Sequence, residues 1–178
     1  MGDNPGHEFR GNQYAAVAEA ARKDGEKEAK AALKSGRDLG KIGRLGSSPA
    51  AHAGYHQRMA DEIKRDQSMP PNIRAEAAAR HEGMVAVFAG HAAATMSAAA
   101  TMSDKLQTKA VKLEDQMRRV GGTRALSGKS QSEKAARSEK FGRLAEKHSG
   151  ILEKLGQLRE ATSSHEHTGL SDFHKGKR

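Results

Sequence analysis

The sequence predicts an all-α protein, arranged as an elongated helical hairpin or bundle with coiled-coil-like helices and flexible termini. No segment shows the alternation of β-branched or aromatic residues with polar ones that marks a strand. Of the 178 residues, 35% are hydrophobic, 3% aromatic and 30% charged, a composition that suits long solvated helices better than a thick core. Clusters of glycine and proline divide the chain into helix-length pieces.

The N-terminal part is predicted to contain an arm, a helix and a linker. Residues 1–13 are polar and hold Pro5 and three glycines, so they form an arm or docking peptide. Residues 14–34 form an Ala-rich helix with apolar residues at helical spacing, although Gly25 weakens its middle. Residues 35–48 contain glycines at positions 36, 40, 43 and 46 and are predicted to be a flexible linker.

Residues 49–120 are predicted to form a helical hairpin with a long second helix. Ser48-Pro49 is a typical helix start, and Pro70-Pro71 separates the two helices, with Asn72 as the cap of the second. Gly121-Gly122 ends it. An apolar stripe in that helix consists of Leu106, Ala110, Leu113, Met117 and Val120. Glycines at positions 83 and 90 leave open whether residues 73–120 are one continuous helix.

The C-terminal part is predicted to be a linker over residues 121–131, an amphipathic helix over residues 132–163 and a basic tail over residues 164–178. Apolar residues of that helix recur with coiled-coil spacing. The seam consists of Phe141, Leu144, Ile151, Leu155 and Leu158, with His148 in register and Leu152 widening it. Three glycines make the helix weak alone, so a partner helix is expected.

No residue pattern predicts a catalytic, metal or cofactor site, and we expect a protein that is not an enzyme. Gly128-Lys129-Ser130 lacks the first glycine of a phosphate-binding loop at the required spacing and has no preceding strand. The chain has no Cys, which excludes thiolate sites. No nucleophile elbow is present. No apolar run approaches the ~18 residues of a membrane span, so no span is expected.

His52 and His56 are four residues apart, so both imidazoles lie on one helical face, as paired metal ligands would. A third ligand would come from Asp61, Glu62, His81 or His91. However, no Glu follows His52 as a zinc protease requires. The favoured interpretation is a packing stripe of His, Met and Ile.

The chain carries a net charge of +9, which favours a polyanionic partner, either nucleic acid or an acidic protein surface. Residues 121–178 contribute twelve basic and seven acidic residues and end in Lys175, Lys177 and Arg178, the candidate nucleic-acid contacts. Aromatic residues are too few for base stacking. Any binding to DNA would be through phosphates, independent of sequence and sensitive to salt.

The N-terminal arm carries the candidate partner-binding residues, which lie in the segment GHEFRGNQY. They are His7, Phe9, Arg10, Asn12, Gln13 and Tyr14. This segment could lie in an extended groove of a partner, where Phe9 and Tyr14 would fill pockets and Arg10 would pair with a carboxylate. The side-chain amides of Asn12 and Gln13 would form hydrogen bonds with the partner's backbone. The alternative is an arm that caps its own first helix.

The same segment resembles the His-x-Phe-Arg-Gly-Asn-Gln-aromatic element of tailed-bacteriophage proteins associated with the virion and with head morphogenesis. Glu8 stands where that element commonly has proline. Residues 49–100 are similar in style to the Ala- and His-rich helices that accompany it. The resemblance implies a virion protein, assembled in the host cytoplasm, that contacts a capsid, portal or other virion protein.

Two functions are therefore expected from the sequence, with a third open. The first is a non-enzymatic structural or assembly protein of the virion, which also forms a homo-oligomer. The alternative is a basic protein that binds nucleic acid without sequence preference, internal to the particle or ejected with the genome. A small regulator that binds a host protein would share the features of the first.

Overall fold

A computed structural model describes the backbone of residues 5–36, 39–122 and 126–175, and the side chains of residues 14–36, 39–122 and 126–163. Within those ranges the chain forms four long helices: α1 (Pro5–Ser35), α2 (Gly40–Arg65), α3 (Pro71–Gly121) and α4 (Gln131–Lys175). No β-strand occurs in the described ranges. The predicted all-α class is confirmed, and α3 is one continuous helix.

Local chemistry explains several helix ends. Gly36 follows α1 with a φ of 61°, a left-handed conformation that favours glycine after a helix. The amide of Arg74 donates to the carbonyl of Pro70 at 3.0 Å. Pro71 therefore occupies the first helical position of α3, where its missing N–H costs nothing. The prediction that Asn72 caps this helix is wrong, whereas the predicted end at Gly121 is confirmed.

The start of α4 is a reciprocal capping box. The Ser130 hydroxyl accepts from the Glu133 amide at 3.3 Å, and the Glu133 carboxylate accepts from the Ser130 amide at 2.9 Å. The hydrogen bonds that the Ser130 amide and hydroxyl donate to the Glu133 carboxylate, with the charge of Lys129 nearby, lower the pKa of Glu133. The first helical residue is Gln131, one position before the predicted start at residue 132.

Three predicted irregular segments are helical, in whole or in part, in the structure. Helix α4 continues past the predicted end at residue 163 and includes residues 164–175 of the predicted basic tail. Helix α1 begins at Pro5, inside the predicted arm, and α2 begins at Gly40, inside the predicted linker, so that Pro49 lies within α2. The linker prediction fails because packing outweighs the low helix propensity of glycine. Gly43 and Gly46 are buried, Ile42 is fully buried, and α1 and α2 pack against each other.

The chain divides into two compact units. Unit 1 comprises Met1–Ala99 and Glu160–Arg178, and unit 2 comprises Ala100–Arg159. The described core of unit 1 is built mainly from small side chains, which allow close helix contacts. Its most buried members are Ala29, Ile42, Ala60, Ala78, Thr95 and Ala99.

Unit 2 contains the part of α3 from Ala100 onward and the part of α4 up to Arg159. The predicted stripe of α3 is shielded from solvent: Leu106 and Ala110 are buried, and Leu113, Met117 and Val120 are half-buried. On α4, Leu155 and Leu158 are buried. Among the described residues, the contacts between these parts of α3 and α4 include one polar and one aromatic contact. His148 Nε2 lies 3.2 Å from Glu114 Oε1, and the Phe141 ring lies against Gly121.

Helix α3 also departs from the expectation that no segment reaches membrane-spanning length. It is long enough, and over one 18-residue stretch apolar enough, to cross a membrane, and 22% of that stretch is buried. Residues 83–103 contain no Asp, Glu, Lys or Arg, and isolated polar residues such as His91 interrupt the apolar run without making it hydrophilic. Core helices of soluble proteins meet the same criterion, so the finding assigns no membrane span.

Gly25 lies where α1 closely approaches the backbone of α3. A Cβ atom at Gly25 would lie 2.7 Å from the carbonyl oxygen of His91 and 3.0 Å from its Cγ. The neighbour is backbone and cannot rotate away. Gly25 therefore serves packing, although the sequence marks it only as a weak point in a helix.

We expect Gly25→Ala to lower the free energy of unfolding by about 1–2 kcal/mol. The overpacking cost of about 1–3 kcal/mol exceeds the gain of up to about 1 kcal/mol in helix propensity. Urea unfolding followed by circular dichroism measures the change. Gly142→Ala is the matched control, because a Cβ there meets nothing within 4 Å, and it should stabilise by about 0.5–1 kcal/mol. Stabilisation by both substitutions would contradict the close approach.

Candidate functional site

The candidate residues of the N-terminal arm fall into two groups. The backbone of residues 5–13 belongs to α1, so the structure does not show the extended peptide considered from the sequence. The side chains of His7, Phe9, Arg10, Asn12 and Gln13 lie outside the described residues. Tyr14 is half-buried and its ring lies over Gly83 of α3, where a Cβ would be 2.5 Å from the ring. Tyr14 therefore packs within unit 1.

The candidate seam of α4 is buried unevenly. Leu155 and Leu158 are 6% and 2% exposed, Leu144 and Ile151 are half-buried, and Phe141 is 38% exposed. Leu152, predicted to widen the seam, is 49% exposed. The apolar contacts are thus made mainly near residues 155–158, and Phe141 keeps a free surface.

The side chains of the candidate nucleic-acid contacts in the tail lie outside the described residues. Lys175 is the last residue of α4, but its side chain lies outside the described residues, as do Lys177 and Arg178 entirely.

His52 and His56 of α2 and His81 of α3 form an aromatic cluster with Phe88. The rings of His52 and His56 both stack on Phe88, with centroids 5.1 and 5.6 Å from it. Tyr55 meets His56 edge-on. The Nδ1 atoms of His56 and His81 are 2.9 Å apart, so one ring donates to the other. No group of three His, Asp or Glu among the described residues is placed to hold a metal ion.

The environment of His56 disfavours its protonated form. Burial, followed by the charges of His81 and His52, lowers the pKa of His56. Two protonated rings would also point N–H groups at each other across the His56–His81 contact, which removes the acceptor of that hydrogen bond.

We expect the protein to lose stability as the pH falls below about 6.5, the pKa of an unperturbed histidine. The unfolded chain takes up the proton at His56 first, because the folded-state pKa is lower, and the loss ends once the pH passes that folded-state value. Unfolding in urea at a series of pH values measures the slope, from about 7.5 to about 5.5, which is about one unit on each side of the pKa of an unperturbed histidine. His56→Asn should flatten it. Equal slopes for the two proteins would contradict this role.

A cleft that the sequence did not predict lies beside Phe141 in unit 2, and we name it the Phe141 cleft. It has a volume of about 350 Å³, and its lining residues are Val120, Gly121, Leu126, Lys134, Arg137, Ser138 and Phe141. The Phe141 ring forms one wall by packing on Gly121, where a Cβ would be 2.6 Å from the ring. Its volume falls at the lower end of the range for ligand-sized pockets.

The charged residues of the Phe141 cleft are both basic. Lys134 is exposed and Arg137 is half-buried, and neither side chain makes an ion pair with the described residues. The signal in the sequence is local: residues 118–140 hold seven Lys or Arg and two Asp or Glu. The heptad pattern of α4 identifies Phe141 as a seam residue. It does not predict the cleft, because the cleft forms only where the fold brings α3 and α4 together.

No family model matches the chain, and no curated protein or solved structure is significantly similar to it.

Proposed function

We propose that the protein is a non-enzymatic structural or assembly component of a tailed-phage virion. It docks on a capsid, portal or neighbouring subunit through its N-terminal arm and its helical faces, and it acts without a cofactor. The observation that carries the proposal is the segment GHEFRGNQY at residues 6–14, which resembles the element found in virion and head-morphogenesis proteins.

The helical faces support the same proposal. Several large apolar side chains are exposed among the described residues: Val17, Tyr55, Ile73, Val111, Phe141 and Leu152. In the proposal, the exposed Leu152 extends the coiled-coil seam to a second copy, so the protein is a homo-oligomer.

Deleting residues 1–13 is expected to abolish incorporation of the protein into phage particles while the protein stays helical. Purified particles from cells that make the truncated protein are analysed by mass spectrometry, and helicity is measured by circular dichroism. Deleting residues 164–178 is the matched control of similar length at the other terminus and should leave incorporation unchanged. Normal incorporation without the arm would contradict the docking role.

The basic charge favours a second candidate, a protein that binds nucleic acid without sequence preference and is internal to the particle or ejected with the genome. Its support is the net charge of +9, together with Lys134 and Arg137 of unit 2, which make no ion pair with any residue that the structure describes. In this case the tail deletion, not the arm deletion, would prevent incorporation. DNA affinity would also fall steeply between low and physiological salt.

A further inference from the structure

We propose that the Phe141 cleft of unit 2 binds an acidic protein segment that carries a large apolar side chain. The inference rests on one part of the proposed function, namely that the protein acts by binding other proteins. It names the chemistry of a partner and a second docking surface, separate from the N-terminal arm.

The interior of the cleft suits an apolar side chain. Val120, Leu126 and Phe141 line it, and Phe141 is 38% exposed although one part of its ring lies on Gly121. A second depression that Phe141 also lines includes Met117, Arg118 and Glu114 among its other lining residues. An incoming leucine or phenylalanine would remove these apolar surfaces from water, which is the main favourable term in such contacts.

The charge around the cleft suits carboxylates. Both acidic residues within positions 118–140 already have partners: Glu133 bonds to Ser130 and lies 3.5 Å from Lys129, and Glu139 pairs with Arg143. Lys134 and Arg137 at the cleft make no ion pair with the described residues. Basic side chains without counter-charges attract an acidic partner and favour it over a basic one.

A protein segment fits this site better than a nucleic acid does. Phosphate contacts would use Lys134 and Arg137 but would leave the apolar interior open to water. Binding of single-stranded nucleic acid relies on several aromatic rings on which successive bases stack. The cleft offers one ring, Phe141, part of which packs on Gly121, and its other apolar walls, Val120 and Leu126, are aliphatic.

The test is fluorescence anisotropy with the full chain and three labelled probes. The first is a short peptide of Asp and Glu with a central Leu and Phe. The second has the same charges, with Ser in place of Leu and Phe. The third is an oligothymidylate of similar length. Salt is kept at about 0.1 M, so that distant charges are screened beyond about 10 Å.

Two double variants compare the cleft with a matched surface. Lys134→Gln with Arg137→Gln removes the two basic groups of the cleft. Lys105→Gln with Lys154→Gln removes two exposed lysines elsewhere in unit 2, which also make no ion pair with described residues. Phe141→Ser removes the aromatic wall, and circular dichroism checks that each variant is helical.

We expect the peptide with Leu and Phe to bind at least roughly tenfold more tightly than its Ser counterpart. The cleft double variant and Phe141→Ser should each weaken it by roughly tenfold or more, and the control double variant should leave it nearly unchanged. Equal binding of the two peptides, or equal losses in the two double variants, would overturn the proposal. So would an oligothymidylate that binds more tightly than the peptide and depends on the same cleft residues. Particle incorporation is not the readout here, so this proposal and the virion role can fail separately.

Discussion

Ile42→Ala is expected to lower the free energy of unfolding by about 2–5 kcal/mol, the usual cost of truncating a large side chain in a core. Ile42 is 0% exposed and lies in the first turn of α2, within the segment that the sequence predicts to be a linker. The loss is the sum of two free energies: the hydrophobic stabilisation that the removed methyl and methylene groups provided, and the cost of the cavity that they leave behind. Urea unfolding followed by circular dichroism measures it.

Ile73→Ala is the matched control for Ile42→Ala. Ile73 belongs to α3 and is 54% exposed. The same substitution there should lower the free energy of unfolding by less than about 1 kcal/mol, close to the effect that substitutions on a protein surface usually have. Similar small effects at both positions would show that residues 40–48 are not packed, and that the linker prediction describes the protein better than α2 does.

Leu158→Ala is expected to have an effect of similar size, about 2–5 kcal/mol. Leu158 is 2% exposed, the most buried of the predicted seam residues on α4. Three glycines at positions 142, 150 and 156 weaken α4, so this helix depends on packing for its stability. The measurement is urea unfolding at a fixed protein concentration, since any association shifts the midpoint.

Leu152→Ala serves as the control on the same helix. Leu152 is 49% exposed, so its truncation should leave the free energy of unfolding of the monomer nearly unchanged. If α4 of one copy packs on another copy through this side chain, the substitution should instead lower the molecular mass in solution. Equal destabilisation by Leu152→Ala and Leu158→Ala in a monomeric protein would contradict the burial pattern of α4.

The sequence predicts the helical class and those helix ends that local chemistry determines. The break at Pro70-Pro71 and the end of α3 at Gly121 both follow from residues that act within a few positions of themselves. The start of α2, in contrast, does not follow from local residues. Glycines at positions 40, 43 and 46 argue for a linker by propensity, but buried packing of Ile42 and its neighbours makes the segment helical, and packing partners are not visible in a local pattern.

Less of the candidate site could be predicted. The seam spacing identified Leu155 and Leu158, which are buried, but treated Phe141 as their equal although it is 38% exposed. The Phe141 cleft depends on residues about twenty positions apart that α3 and α4 bring together. Periodicity along one helix carries no information about that contact. The arm was singled out by its resemblance, and only Tyr14 of its candidate residues has a described side chain.

The measurement that tests the account most directly is the mass of the purified protein by light scattering, at low and high salt, with and without DNA. A structural protein that associates through the apolar side chains of its helices should be an oligomer whose mass is unchanged by high salt, because apolar contacts are not screened, and unchanged by DNA. A monomer that joins DNA only at low salt would contradict the structural role and would show that phosphate binding is the function of the basic charge.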